Sequence, residues 1–163
     1  MNDALTFRQR AVVWATFASA ILLTLAPLPN VLAILRPNWV ALVLAYWYMA
    51  IPDRAGIGGA WVLGLFLDTI YGSLLGEQAL AKAVLAFLIL RFAHRLRVFP
   101  RWQQAMAVGV SVAVSDMVVL MIKSLVHGVH PIFSDTAPMV ANAIVWPFLF
   151  VVLREVRRRA KIS

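Results

Sequence analysis

The sequence predicts an all-α integral membrane protein, a bundle of six transmembrane helices with both termini cytoplasmic. Three observations predict it. Of 163 residues, 63% are hydrophobic and 13% charged, with a mean hydropathy of +0.85, far more apolar than a soluble domain of this size. The apolar residues fall into recurrent runs, separated by short segments holding most of the Arg, Pro and Asn, which is the pattern of a polytopic membrane protein. The basic residues are sorted to alternate connections, and that sorting sets orientation. So little chain lies outside the runs that residues 1–163 read as one membrane domain.

The runs cover roughly residues 11–27, 38–52, 56–75, 78–93, 103–127 and 137–153. Short connections make consecutive spans antiparallel neighbours. With the N-terminus cytoplasmic, the inner segments hold Arg8, Arg10, Arg54, Arg91, Arg95, Arg97, Arg101, Arg154, Arg157, Arg158, Arg159 and Lys161, which is 12 of the 15 Lys and Arg. The outer segments hold Arg36, while Lys82 and Lys123 fall inside spans near their outer ends. This imbalance favours both termini inside. The net charge of +8 is thereby a topology signal. Nucleic acid is not expected as a partner, because no aromatic-interleaved basic fold accompanies the charge. The chain has no cysteine, which excludes disulfide and thiol chemistry within it.

In the first span, Arg8 and Arg10 before an apolar run imitate a signal peptide. Pro27 falls where a small-residue cleavage site would be needed, and five spans follow, so the segment reads as an uncleaved anchor. The second span, "VLAILRPNWVALVLAYWYMAIP", is interrupted at Arg36, Pro37 and Asn38. Its clean part from Trp39 to Ile51 reaches only about 20 Å at 1.5 Å per residue, short of a ~30 Å core. Either it locally thins the bilayer, or Val31 to Leu35 dips into the outer leaflet. Pro37 suits a helix start, where its missing N–H is unimportant. Trp39, Tyr46, Trp47 and Tyr48 divide between the membrane interface and helix contacts.

The third span places Gly56, Ala60, Gly64, Asp68, Gly72 and Gly76 at every fourth position. On a helix these form one slowly drifting stripe. Small residues so spaced let another backbone approach closely, so Asp68 should face the bundle rather than lipid. The fourth span carries Lys82 and leads into the basic loop "RFAHRLRVFPRWQQ", whose apolar anchors Phe99 and Trp102 fit an anionic leaflet or, less simply, a cytoplasmic docking surface. The fifth span repeats the stripe as Ala105, Gly109 and Ala113, with Asp116 three residues on along the same side. Asp68 and Asp116 then lie about 18 Å and 20 Å above the inner boundary. The sixth span brings Asn142 within about a helical turn of that depth, and Pro147 interrupts its backbone bonding.

A charge at that depth costs several kcal/mol unless paired, solvated or neutralised. Uptake of a proton, or a network with Asn142 and hydroxyl groups, is favoured over a direct salt bridge, because Lys82 and Lys123 can snorkel outward. With two carboxylates and little else, helix glue is a better reading than an ion or proton relay. No catalytic, cofactor or metal site is expected. His127 and His130 in "HGVHP" lack a third ligand, and His94 reads as solvated. Ser111, Ser115 and Ser124 have no neighbouring His on their helix, and no phosphate-cradling glycine motif is present.

The order and spacing of "RPNWV", "GLFLDTIYGSLLG", "WQQA", Asp116 and "ANAIVWP" resemble MreD, the rod-shape-determining membrane protein family of bacteria. The resemblance covers nearly the whole chain. It implies a non-enzymatic scaffold subunit of the cell-elongation machinery in the cytoplasmic membrane. Such a subunit associates with MreC and connects MreB filaments to RodA and its class B penicillin-binding transpeptidase, which build lateral peptidoglycan. It also implies a fold similar to the substrate-binding S-components of energy-coupling-factor transporters, which keeps a small-solute-binding transporter subunit as the alternative. The family's characteristic positions carry over to Arg36, Pro37, Asn38, Trp39, Gly64, Asp68, Gly72, Gly76, Asp116, Asn142, Trp146 and Pro147.

Overall fold

The computed structural model describes residues 6–26, 36–128 and 137–162. The described residues form six α-helices: α1 (Phe7–Leu25), α2 (Trp39–Ala50), α3 (Ile57–Tyr71), α4 (Glu77–Val98), α5 (Arg101–His127) and α6 (Ala137–Arg159). A 3-10 turn, Pro52–Arg54, joins α2 to α3. Each predicted span falls on one helix. Helices α4 and α6 run past their predicted ends through basic residues, and α3 stops short of its predicted end. Of the six, α5 is long and apolar enough over Trp102–Val126 to cross a membrane, while α2 and α3 are shorter apolar helices.

The ends are set by local chemistry. Thr6 caps α1, its Oγ1 accepting from the Gln9 N–H at 3.4 Å while Gln9 Oε1 accepts from the Thr6 N–H at 3.0 Å. This reciprocal pair satisfies two otherwise unpaired donors. Asn38 caps α2, its Oδ1 accepting from the Ala41 N–H at 3.2 Å. Helix α2 therefore starts at Trp39, and Pro37 lies one residue before the cap rather than in the first turn. The proposed dip at Val31–Leu35, residue His130 and the side chain of His127 lie outside the described residues; His127 itself ends α5 rather than standing in the loop, so Ser124 does have a histidine three residues on along its helix.

The bundle is organised around α2. It packs against α1, α4, α5 and α6, and α3 packs along α4. Residues 40–50 are all buried. A helix that is apolar on every side belongs in the interior. Tyr46, Trp47 and Tyr48 are therefore helix contacts, not interface anchors. Trp47 Nε1 donates to Thr16 Oγ1 of α1 at 2.9 Å, and the Tyr48 hydroxyl donates to the Gly56 carbonyl at 2.8 Å. Tyr46 meets Phe150 of α6 edge-on, with ring centroids 5.6 Å apart, and Phe150 in turn packs on the fully buried Trp146.

Small residues set two close helix approaches. A Cβ at Gly64 would lie 2.3 Å from Ala79 Cα and 2.6 Å from the Gln78 carbonyl oxygen, so α3 and the first turn of α4 touch backbone to backbone. At Gly109 a Cβ would meet Ala143 Cβ at 3.1 Å, bringing α5 against α6. The predicted stripe is real at Ala60, Gly64 and Gly109. It fails at Gly56, which precedes α3 exposed and with nothing within 4 Å of a Cβ, and at Gly72 and Gly76. Gly72 ends α3 in the left-handed region at φ 61° and Gly76 precedes α4 at φ 104°, and a Cβ at either would meet nothing within 4 Å. The four-residue spacing continues there although the helix does not.

The first turn of α1 and the residues just after α6 are adjacent: Gln9 Nε2 donates to the Lys161 carbonyl at 2.7 Å.

Candidate functional site

Two buried polar clusters occupy the bundle, one around each aspartate. The first forms where α3 turns back into α4. Gly72 and Ser73 donate their backbone N–H groups to the Asp68 carbonyl, closing α3 in the manner of a glycine C-cap. The three residues that follow carry the chain back so that the Asp68 side chain sits at the open N-terminus of α4. Asp68 Oδ1 accepts from Ser73 Oγ at 2.9 Å and the Gln78 N–H at 2.8 Å. Its Oδ2 accepts from the Gly76 N–H at 2.8 Å and the Ala79 N–H at 3.4 Å. Four donors converge on two acceptor oxygens that are 1% exposed, and three of them are first-turn or preceding amides that a helix cannot pair internally. Asp68 thus faces the bundle as predicted, but its partner is a helix end rather than a helix face.

The second cluster joins α2, α5 and α6. Asn38 Nδ2 donates to Asp116 Oδ1 at 2.8 Å, and Asn142 Nδ2 donates to Asp116 Oδ2 at 3.4 Å. Asn142 Oδ1 accepts from the Asn38 N–H at 2.7 Å, closing the circuit. Both Asp116 oxygens and the Asn142 amide are engaged, as a buried polar network requires. Of the alternatives for Asp116, the polar network is the one found. Ser115, one residue away, bonds across to the Ala81 carbonyl of α4 at 3.0 Å.

Lys82 lies between the clusters. It is 1% exposed, so it does not snorkel. Its Nζ donates to Gln78 Oε1 at 3.1 Å, and it feels the charges of Asp116 and, more weakly, Asp68. No direct ion pair joins Lys82 to either carboxylate among the described residues. Lys123 pairs instead with Glu77, at 3.7 Å. Glu77 is 2% exposed at the first position of α4, and sequence reasoning missed it. The glycines at 72 and 76 were the signal that could have found it, since a C-terminal glycine followed by a second turn marks the next helix start.

The carried-over positions separate into groups. Asn38, Asp116 and Asn142 are brought together; Gly64, Asp68 and Gly76 converge on the start of α4. Trp146 is buried in the α2–α6 contact. Pro147 lies inside α6 and cannot donate to the Ala143 carbonyl. Arg36 donates to the Thr24 carbonyl at 2.6 Å and to the Ala26 carbonyl, tying the chain before α2 to the end of α1. Beside it, a cavity of about 240 Å³ is lined by Thr24, Arg36, Asn38, Tyr71, Gln78 and Asp116, among others. Asp68 and Asn142 do not line it. Trp39 begins α2 half-buried.

Outside the predicted spans, Glu155 accepts from Arg159 Nε at 2.9 Å and Arg158 Nη2 at 3.1 Å. These bonds hold its carboxyl below the usual carboxylate value.

Residues 6–156 match the family model described as "rod shape-determining protein MreD". The chain belongs to the MreD family. It is 32% identical over 146 residues to the rod shape-determining protein MreD of Haemophilus influenzae, covering 90% of each chain. No solved structure matches it significantly. As an MreD family member the chain has a role in cell shape, in a family of membrane proteins that take part in the rod-shape complex. MreD proteins are a shape-determining structural family rather than known enzymes.

Proposed function

We propose that the chain is a multi-pass scaffold of the bacterial inner membrane, with both termini cytoplasmic, that binds MreC. Through MreC it would connect MreB filaments to RodA and its transpeptidase during lateral peptidoglycan synthesis. The observation that carries this reading is that the buried polar side chains are used by the fold itself. Asp68 holds the start of α4, and Asp116 holds Asn38 and Asn142. An ionisable group buried at membrane depth is functional by default, and here fastening helices is function enough.

The outer surface supports the membrane reading. Trp14, Leu22, Val62, Leu75, Val110, Met121, Leu125, Ile144 and Phe148 are all at least half exposed, which in water would be an unusually large apolar surface. The contact between the start of α1 and the segment after α6 fits the charge sorting in the sequence, which puts both on the cytoplasmic side.

The test is depletion in a rod-shaped cell with complementation by this chain. Loss of rods on depletion, their return on expression, and recovery of MreC with the tagged chain are expected. Rods that persist without the chain would overturn the reading.

A second reading, a small-solute-binding transporter subunit with a fold like the S-components, is favoured by the Arg36–Asp116 cavity. It predicts a small molecule released on denaturing the purified chain and lost in Asp116→Asn. An empty preparation in native mass spectrometry counts against it.

A further inference from the structure

A groove of about 660 Å³ runs between the outer faces of α4 and α5. Phe92, Phe99, Trp102, Met106, Val110 and Val114 line it, and each is 41% exposed or more. Among the described lining residues one cation, the exposed Arg95, stands at the end where α4 leaves for α5, and none is acidic. Along α5 the groove extends from Trp102 to Val114, about 18 Å at 1.5 Å per residue. One leaflet of a ~30 Å hydrocarbon core is about 15 Å deep. The groove is therefore about as long as one leaflet is deep and mostly apolar, with Gln103 and Ser111 as its uncharged polar residues, and among the described lining residues its one cation lies at the end nearest the basic loop.

We propose that this groove is a binding site for one anionic phospholipid, its acyl chain along α5 and its headgroup phosphate on Arg95. The proposal rests on the multi-pass reading. Basic pockets between helices on the cytoplasmic side have the chemistry that anionic headgroups select. The aromatic rings of Trp102 and Phe99 at the same end match the headgroup boundary, where such rings prefer to lie. Arg91, one helical turn before Arg95 on α4 and also exposed, adds local positive potential.

The full-length chain is reconstituted in vesicles of equal phosphatidylglycerol and phosphatidylcholine, extracted in mild detergent and weighed by native mass spectrometry. One retained phosphatidylglycerol is expected, favoured over phosphatidylcholine by about fivefold, the preference one surface cation supplies. Arg95→Gln should abolish the preference and Arg95→Lys restore it. Val110→Trp, filling the groove from an exposed position, should reduce retention of both lipids. Both sites are exposed, and unchanged helix content in each variant shows that folding is intact. Equal retention of the two lipids by the wild-type chain, or an unchanged preference in Arg95→Gln, overturns the lipid site. So does near-complete photo-crosslinking from position 110 to a protein in cell membranes, which would give the groove to a partner's helix. Release of the chain by alkaline carbonate would overturn the multi-pass reading together with the site, whereas the other outcomes strike the site alone.

Discussion

Gly64→Ala is the smallest change that tests how α3 and α4 are joined. The new Cβ would lie 2.3 Å from Ala79 Cα and 2.6 Å from both the Ala79 nitrogen and the Gln78 oxygen. These are backbone atoms of a helix and cannot rotate away. Carbon pairs settle at about 3.5–4.0 Å, so the helices must part by about 1.2 Å. Overpacking of this kind costs about 1–3 kcal/mol. The same shift draws the Gln78 and Ala79 amides, now 2.8 Å and 3.4 Å from Asp68, out of bonding range. Each such bond contributes about 1 kcal/mol, giving a total loss of about 3–5 kcal/mol. Gly72→Ala is the control. It meets no neighbour but keeps φ at 61°, a strain of about 1–2 kcal/mol. Reversible unfolding of both variants in mixed micelles, followed by helix content, gives the two values. If Gly64→Ala lay within about 0.5 kcal/mol of wild type, or Gly72→Ala were the more damaging, the proposed backbone contact would be wrong.

Asp68→Asn replaces one acceptor with an amide that faces N–H donors, leaving at least one of the four unsatisfied. Unfolding should become easier by about 1–3 kcal/mol, with Asp68→Ala worse still. Lys82→Met removes the buried cation. Double-mutant cycles should give it a coupling with Asp116→Asn of about 0.5 kcal/mol or more, exceeding its coupling with Asp68→Asn, and equal or absent couplings would refute that order. Glu155 has its folded-state value lowered by Arg159 and Arg158, so its contribution is present above its ordinary value of 4.5 and disappears as pH falls through the lowered one. The stability difference between wild type and Glu155→Gln should therefore be seen at neutral pH, shrink in acid and be screened by salt. A difference that grew in acid would contradict it.

Helix existence was legible in the sequence because apolar runs and basic punctuation report it directly. The helix contacts of Ala60 and Gly64, and the convergence of Asp116 with Asn142, were legible because spacing and depth are arithmetic on a helix. Gly72 and Gly76 were misread for the same reason, since spacing alone does not reveal that a helix has stopped. The partner of Asp68 was invisible because the amides it holds belong to Gly76, Gln78 and Ala79, whose positions depend on the turn and not on side-chain type. The burial of Lys82 depends on the packing of the first turns of α4, and no local pattern distinguishes it from a snorkelling lysine. The central place of α2 was hinted at by its lack of a polar face, but its shortness suggested a thinned bilayer.

The central claim is that these buried polar groups fasten the bundle and perform no chemistry of their own. It is tested by comparing Gly64→Ala, Asp68→Asn, Asp116→Asn and Asn142→Leu in depleted rod-shaped cells, measuring cell width against the amount of folded chain in the membrane. The account predicts that width follows amount alone, so that raising expression of a weakened variant restores rods. A folded Asp68→Asn or Asp116→Asn chain, as abundant as wild type yet leaving cells round, would contradict it.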